Sequence, residues 1–200
     1  VTNSVNRRER ASQKRQRLTE AAARVLYAQG VERTTLADIA READVPVGNV
    51  YYYFKTKDEL VLAALSAHRA HLDELTGRLA ESAGPRERLK ALVEGWIAQR
   101  DTTARYGCPT GTLAAELDKR ADGVLDAEAG AVIRRLLDWA GDQFRALGLP
   151  DPEGLALTLV CGYQGMSLMA GALRDPDVVT REGNRLLAWL DSLPAPAEDA

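Results

Sequence analysis

Cysteine is scarce in this chain of 200 residues: there are two, Cys108 and Cys161. They are too few for a disulfide framework and lie at no metal-ligand spacing. Aromatic residues are few at 6%, and proline and glycine are modest, while Ala, Leu and Arg abound. That composition suits a helix-rich soluble protein. No uninterrupted run of apolar residues is long enough to span a bilayer, which takes about 18. The longest apolar stretch, Leu155 to Leu173, is broken by Thr158, Gln164 and Ser167. No apolar segment is followed by a cleavage site, so a cytoplasmic location with no membrane partner is expected. The sequence also lacks any nucleophile, base or metal constellation. His68 and His71 stand three apart without further ligands nearby and read as structural histidines. Neither an enzyme nor a bound cofactor is expected.

The net charge of -3 conceals an asymmetry. Residues 1–60 hold 11 Lys/Arg against 8 Asp/Glu, and the remainder holds 15 against 21. The excess is sharpest near the start, where Arg7, Arg8, Arg10, Lys14, Arg15 and Arg17 face only Glu9. A basic segment on an otherwise acidic chain points to contact with a polyanion, or else to a solvated tail.

Hydrophobic spacing predicts an all-α fold of about nine helices, with no alternating strand pattern and no repeat. Residues 1–11 read as a flexible basic arm. A first helix begins at Ser12, buries Leu18, Ala21, Ala22, Val25 and Leu26, and ends at Gly30, as a C-terminal cap prefers. Thr35 opens a short second helix, with Asp38 completing a capping box. Asp44-Val45-Pro46 interrupts, and a third helix runs from Val47 to Tyr53. A second capping box, Thr56 to Glu59, opens a long fourth helix. Gly84-Pro85 starts a fifth, which runs down near Tyr106-Gly107-Cys108-Pro109. A short sixth helix spans Thr112–Leu117 and a long seventh carries Leu125 to Phe144. The eighth covers 152–173 behind Asp151-Pro152-Glu153, and the ninth about 178–192. The domains expected are a helix-turn-helix over 12–56, a helical effector-binding and dimerisation domain over 57–193, and a disordered tail over 194–200.

Three short helices, the second and third joined by a tight turn, are the frame of a DNA-binding helix-turn-helix. Leu36, Ile39, Ala40, Val45, Val50 and Phe54 form its packing set. The rest of the third helix is unusual for a packing element: Val47, Gly48, Asn49, Tyr51, Tyr52 and Tyr53. A Tyr-Tyr-Tyr-Phe run cannot all point inward at 3.6 residues per turn, so tyrosines must be exposed. Asn can pair with an adenine edge, and tyrosine hydroxyls reach phosphates.

The string Thr34-Thr35-Leu36-Ala37-Asp38-Ile39-Ala40, with Val45 to Leu60, resembles the TetR/AcrR family of bacterial one-component regulators. That resemblance implies that Thr35 and Lys57 hold phosphates. It also implies that Val47, Gly48, Asn49 and Tyr52 face the groove, with Tyr51 and Tyr53 nearer the backbone. Two departures stand out: Asp44 occupies the turn position where glycine is usual, and Pro46-Val47 replaces a common Ser-Lys pair.

One such motif reads a half-site, so a homodimer on a palindromic operator is expected. By the resemblance, the eighth and ninth helices supply the intersubunit bundle, and Cys161 within the eighth reads as packing. The middle helices would enclose a pocket for an unknown small-molecule effector, with Trp96, Tyr106, Trp139, Phe144, Tyr163, Gln164, Met166 and Met169 as candidate lining groups; any of these could equally be core. Gly107-Cys108-Pro109-Thr110-Gly111 resembles the corresponding segment of the LmrA/YxaF-like branch, whose members answer to antibiotics or flavonoids. Cys108 is then either a thiol sensor of electrophiles or a small hydrophobe at a tight turn. The implied function is a ligand-responsive repressor released from DNA by a hydrophobic or aromatic effector, with redox release through Cys108 as the alternative.

Overall fold

The computed structural model describes residues 2–81, 84–119 and 123–194. Among them are ten helices: α1 (Thr2–Gln29), α2 (Leu36–Glu42), α3 (Val47–Tyr53), α4 (Lys57–Leu79), α5 (Pro85–Ala98), α6 (Arg100–Tyr106), α7 (Pro109–Leu117), α8 (Val124–Ala146), α9 (Pro152–Leu173) and α10 (Asp177–Ser192). No strand occurs among the described residues, and the fold is all-α. The tenth helix arises because the expected fifth is divided at Gln99, whose backbone leaves the helical range. The expected eighth and ninth helices are α9 and α10.

Residues 2–11 depart from expectation. They continue α1 without a break instead of forming a separate flexible arm. The physical reason is local: the segment contains neither proline nor glycine, and Arg7, Arg8, Glu9, Arg10 and Ala11 are good helix formers. Of the tail expected over 194–200, all but Pro194 lie outside the described residues.

The chain packs as two compact units, divided later than the boundary expected at residue 57. The first comprises Val1–Ala70 with Thr112–Gly130; the second comprises His71–Gly111 with Ala131–Ala200. The cut falls inside α4 because Leu60, Val61, Ala64 and Leu65 belong to the core of the first unit. Burial of the helical face, more than sequence proximity, decides membership.

In the first unit, Leu18, Ala22, Ile39, Val50, Phe54 and Leu60 form a common core with Leu113 and Leu117 of α7. Gly30 ends α1 with φ +81°, a conformation that costs glycine little. The next residue, Val31, is buried, and its N–H donates to the Glu116 carboxylate at 2.6 Å.

In the second unit, α10 lies along α5 and α9, and α9 along α6. Asp151 caps α9 by accepting the Gly154 N–H at 3.1 Å, and Pro152 occupies the first helical position. At the other end of the bundle, the Arg86 guanidinium donates to the carbonyls of Leu190, Leu193 and Pro194. A cation there satisfies carbonyls that a helix C-terminus leaves unpaired. Gly183 permits close approach of α10 to Ile97 on α5. The helix α9 is long and apolar enough to cross a membrane by length and composition alone. Its Ala156, Leu159, Tyr163, Met166 and Ala170, however, form part of this unit's core.

Candidate nucleic-acid interface

The second helix is fixed at its start by a reciprocal cap. The Thr35 hydroxyl accepts the Asp38 N–H at 3.1 Å, and the Asp38 carboxylate accepts the Thr35 N–H at 3.0 Å. The Thr35 hydroxyl in turn donates to the same carboxylate at 2.7 Å. Together with Arg41, these donors hold the Asp38 carboxyl at about 2, below its usual 3.8, with the Thr35 hydroxyl the largest cause.

Between α2 and α3 the chain reverses over Ala43 to Pro46. Asp44 takes φ +52°, the left-handed conformation that accounts for glycine being the commoner choice there. Asp tolerates the region better than most residues, so the turn closes, with the Val45 N–H bonded to the Ala40 carbonyl at 2.9 Å.

The third helix then divides by face. Val50 is wholly buried, and so is Phe54, which caps the helix. Val47 is 42% exposed, Tyr51 51% and Tyr52 74%. Asn49 and Tyr53 are half-buried. Tyr53 meets Tyr52 edge to face at 5.1 Å. A Cβ placed on Gly48 would meet nothing within 4 Å. Gly48 is also helical, so neither a turn nor close packing within the chain requires glycine there.

Of the two residues expected at phosphates, Thr35 is exposed but its hydroxyl serves the cap. The Lys57 ammonium donates to the Val31 carbonyl at 2.8 Å, which ties the start of α4 to the end of α1. An ammonium has three donors, so this bond leaves two others. Arg10, Lys14 and Arg17 are exposed along α1. Arg15 instead sets its guanidinium over the Phe54 ring, 4.9 Å from the centroid. Nothing in the spacing of the basic residues singled out Arg15 for this. An i, i+3 or i+4 reading finds partners within a helix, and this partner lies on another.

The candidate effector residues sort differently. Trp96 and Tyr163 are both buried and stack in parallel, with centroids 4.2 Å apart and planes 13° off. Phe144 and Met166 are buried in the same core, and Trp139 packs against it. Phe144 faces Trp189, a residue the sequence reading left out, at 5.9 Å. Tyr106 is half-buried beneath the Arg105 guanidinium. Met169 does not join the buried group: it is 49% exposed on the outward face of α9.

Cys108 is buried, and two N–H groups are directed at its sulfur. They are the Gly111 amide at 3.3 Å and the Gln164 side chain at 3.5 Å. Cys161 does not pack into the core of its own chain. Its side chain is exposed, because the periodicity of α9 places it in line with Leu157, Gly165 and Leu168, on the face left outside the core.

Comparison with known proteins agrees with this frame. Residues 18–64 match the family of bacterial regulatory proteins, tetR family, and residues 85–184 match the tetracyclin repressor-like C-terminal domain. Over 65 residues the chain is 49% identical to the HTH-type transcriptional regulator TtgR of Pseudomonas putida, covering 32% of this chain and 31% of that protein. It thus spans about a third of the length of that relative. Over 105 residues it is 30% identical to the uncharacterized HTH-type transcriptional regulator YxaF of Bacillus subtilis, covering 51% and 55% respectively. A TetR transcriptional regulator from Chloroflexus aurantiacus superposes with a TM-score of 0.82 at 20% identity, over 94% of this chain and all of that one. Likeness at that identity concerns the fold. The two family matches carry the rest: this chain belongs to the TetR family, whose members are DNA-binding transcriptional regulators and not enzymes.

Proposed function

We propose that the protein is a homodimeric repressor, released from a palindromic operator by a small hydrophobic or aromatic effector. The observation that carries the DNA-reading part is the outward face of α3. Val47, Gly48, Asn49 and Tyr52 present a shallow surface with an amide and a hydroxyl, while Val50 and Phe54 anchor the helix. Asn49 reads a base edge, Tyr52 reaches base or phosphate, and Gly48 lets the DNA backbone approach. Thr35, Lys57, Tyr51 and Tyr53 flank these groups and hold phosphates. A protein with this task works where the chromosome is, in the cytoplasm.

Pairing of two copies is supported by the face of α9 turned away from its own core. Leu157, Leu168, Met169 and Leu173 are exposed there, and Gly165 between them has open space beside it. Exposed apolar surface of this kind favours a partner, and a two-fold axis would let one face cover itself. The Trp96–Tyr163 stack favours a planar aromatic effector, which would replace one ring-on-ring contact with two.

Anisotropy titrations on the protein's own upstream DNA test the reading. One palindrome should bind tightly, and the double variant Asn49→Ala, Tyr52→Ala should bind it no better than unrelated DNA. Equal operator preference in variant and wild type would remove these residues from the interface. A compound screen read by Tm should find the effector class, since a ligand stabilises the fold by mass action.

A second reading, release through Cys108, is favoured by the two N–H groups directed at its sulfur in the loop before α7. Quinone treatment should then release DNA from wild type and not from Cys108→Ser; equal release from both would discard the sensor.

A further inference from the structure

The helix-turn-helix unit carries an open groove of about 500 Å³, between α1 and α4, that the DNA-reading role leaves unused. Its volume falls within the roughly 300–1,000 Å³ common for small-molecule sites. Arg15 and Thr19 form one wall, and Phe54 contributes at the end of α3. The opposite wall is one face of α4, where Ala63, Ser66 and Ala67 follow Leu62. Three short side chains on one face leave the gap that larger ones would close.

The chemistry of the walls is uneven. Leu62, Ala63 and Ala67 offer apolar contact, and the buried Phe54 ring backs Arg15. Of the two charged groups, Glu59 has a partner: its carboxylate accepts the Lys55 N–H at 2.7 Å and stands in the first turn of α4, where the helix dipole favours an anion. Arg15 has no carboxylate partner among the described residues. Its guanidinium rests on the Phe54 ring, which leaves the donors at its edge available. What the groove lacks is therefore an anion attached to an apolar body.

We infer that this groove binds a small amphipathic carboxylate, its head on Arg15 and its chain along Leu62, Ala63 and Ala67. The site lies wholly within the DNA-binding unit and is independent of the effector proposed for the other unit.

Decanoate is the probe, titrated calorimetrically into the 200-residue chain at fixed ionic strength. Wild type should bind one decanoate per chain. Arg15→Gln should weaken binding at least tenfold, whereas Arg17→Gln, an equal loss of charge on the same helix, should not. Ala67→Phe fills the groove from a half-exposed position and should abolish binding, and Ala63→Leu should do the same. Trp96→Ala, which alters the other unit, should leave affinity unchanged. Circular dichroism and Tm establish that each variant is folded. No saturable binding by wild type would overturn the inference. So would unchanged affinity in Arg15→Gln and both filled variants, or loss of binding in folded Trp96→Ala.

Discussion

Glu116 on α7 accepts the backbone N–H of Val31 at 2.6 Å, and its carboxylate fills the space that a Cβ on Gly30 would need. Lys57 donates to the carbonyl of the same Val31 at 2.8 Å. Both backbone groups of a buried residue are thus satisfied by side chains far away in sequence. Glu116→Ala should leave the Val31 N–H buried and unpaired, at a cost of about 1–3 kcal/mol. Glu116→Gln keeps a carbonyl acceptor and should lose less. Urea midpoints of the three proteins check the order; equal midpoints for Ala and wild type would mean that the bond contributes nothing.

Gly183 on α10 sets the spacing to α5. A Cβ there would lie well inside van der Waals contact of the Ile97 side chain. Gly183→Ala should destabilise by about 1–3 kcal/mol through overpacking. In an Ile97→Ala background the same change should cost much less. A double-mutant cycle measures the difference, and additive effects would show that α10 simply shifts to make room.

Asp38 makes the helix-turn-helix unit sensitive to acid. Its folded carboxyl titrates at about 2, against 3.8 ordinarily, chiefly through the Thr35 hydroxyl. A depressed carboxylate contributes stability that is fully present above the unfolded value and is lost as pH falls toward the folded one. The window is therefore pH 4 down to 2. Asp38→Asn should flatten the dependence of unfolding on pH across that window, and Thr35→Val with Asp38 retained should flatten it in part. An NMR titration of Asp38 near its ordinary value would refute the assignment.

Arg10, Lys14 and Arg17 are exposed on α1, which carries the basic segment as a helix. Neutralising all three should make the plot of log affinity against log salt shallower, by about 0.9 for each residue that holds a phosphate. Preference for operator over random DNA should persist, since phosphate contacts carry no sequence information. A loss of preference without a change in slope would place these residues at base edges instead.

How far the chain could be read in advance depended on the range of the signal. Thr35 and Asp151 mark helix starts through local caps and Pro85 by its place in the first turn, and all three stand where expected. Gly30 and the turn at Asp44 were equally legible, because a positive φ leaves a trace in residue choice. Residues 2–11 were misread because a high density of charge suits a solvated tail and an exposed helix alike. The bonds from Glu116 to Val31 and from Arg86 to the end of α10 left no local trace. Each joins residues more than eighty positions apart, and only the packed cores bring them together. That Cys161 and Met169 lie outside the core of their own chain was illegible for a related reason: an apolar helix does not announce which of its faces the core takes.

The empty space beside Gly48 sets two kinds of selection against each other. Alanine fits there without touching anything in the free protein, and in a helix it is favoured over glycine by up to about 1 kcal/mol. A hunt for thermostable variants should therefore recover Gly48→Ala early, with a higher Tm and an unchanged fold. If α3 meets DNA as proposed, the added methyl stands where the duplex must come close, and operator affinity should fall as Tm rises. On that reading the folded chain alone would gain from a side chain at Gly48, and recognition of DNA would be what keeps the side chain out.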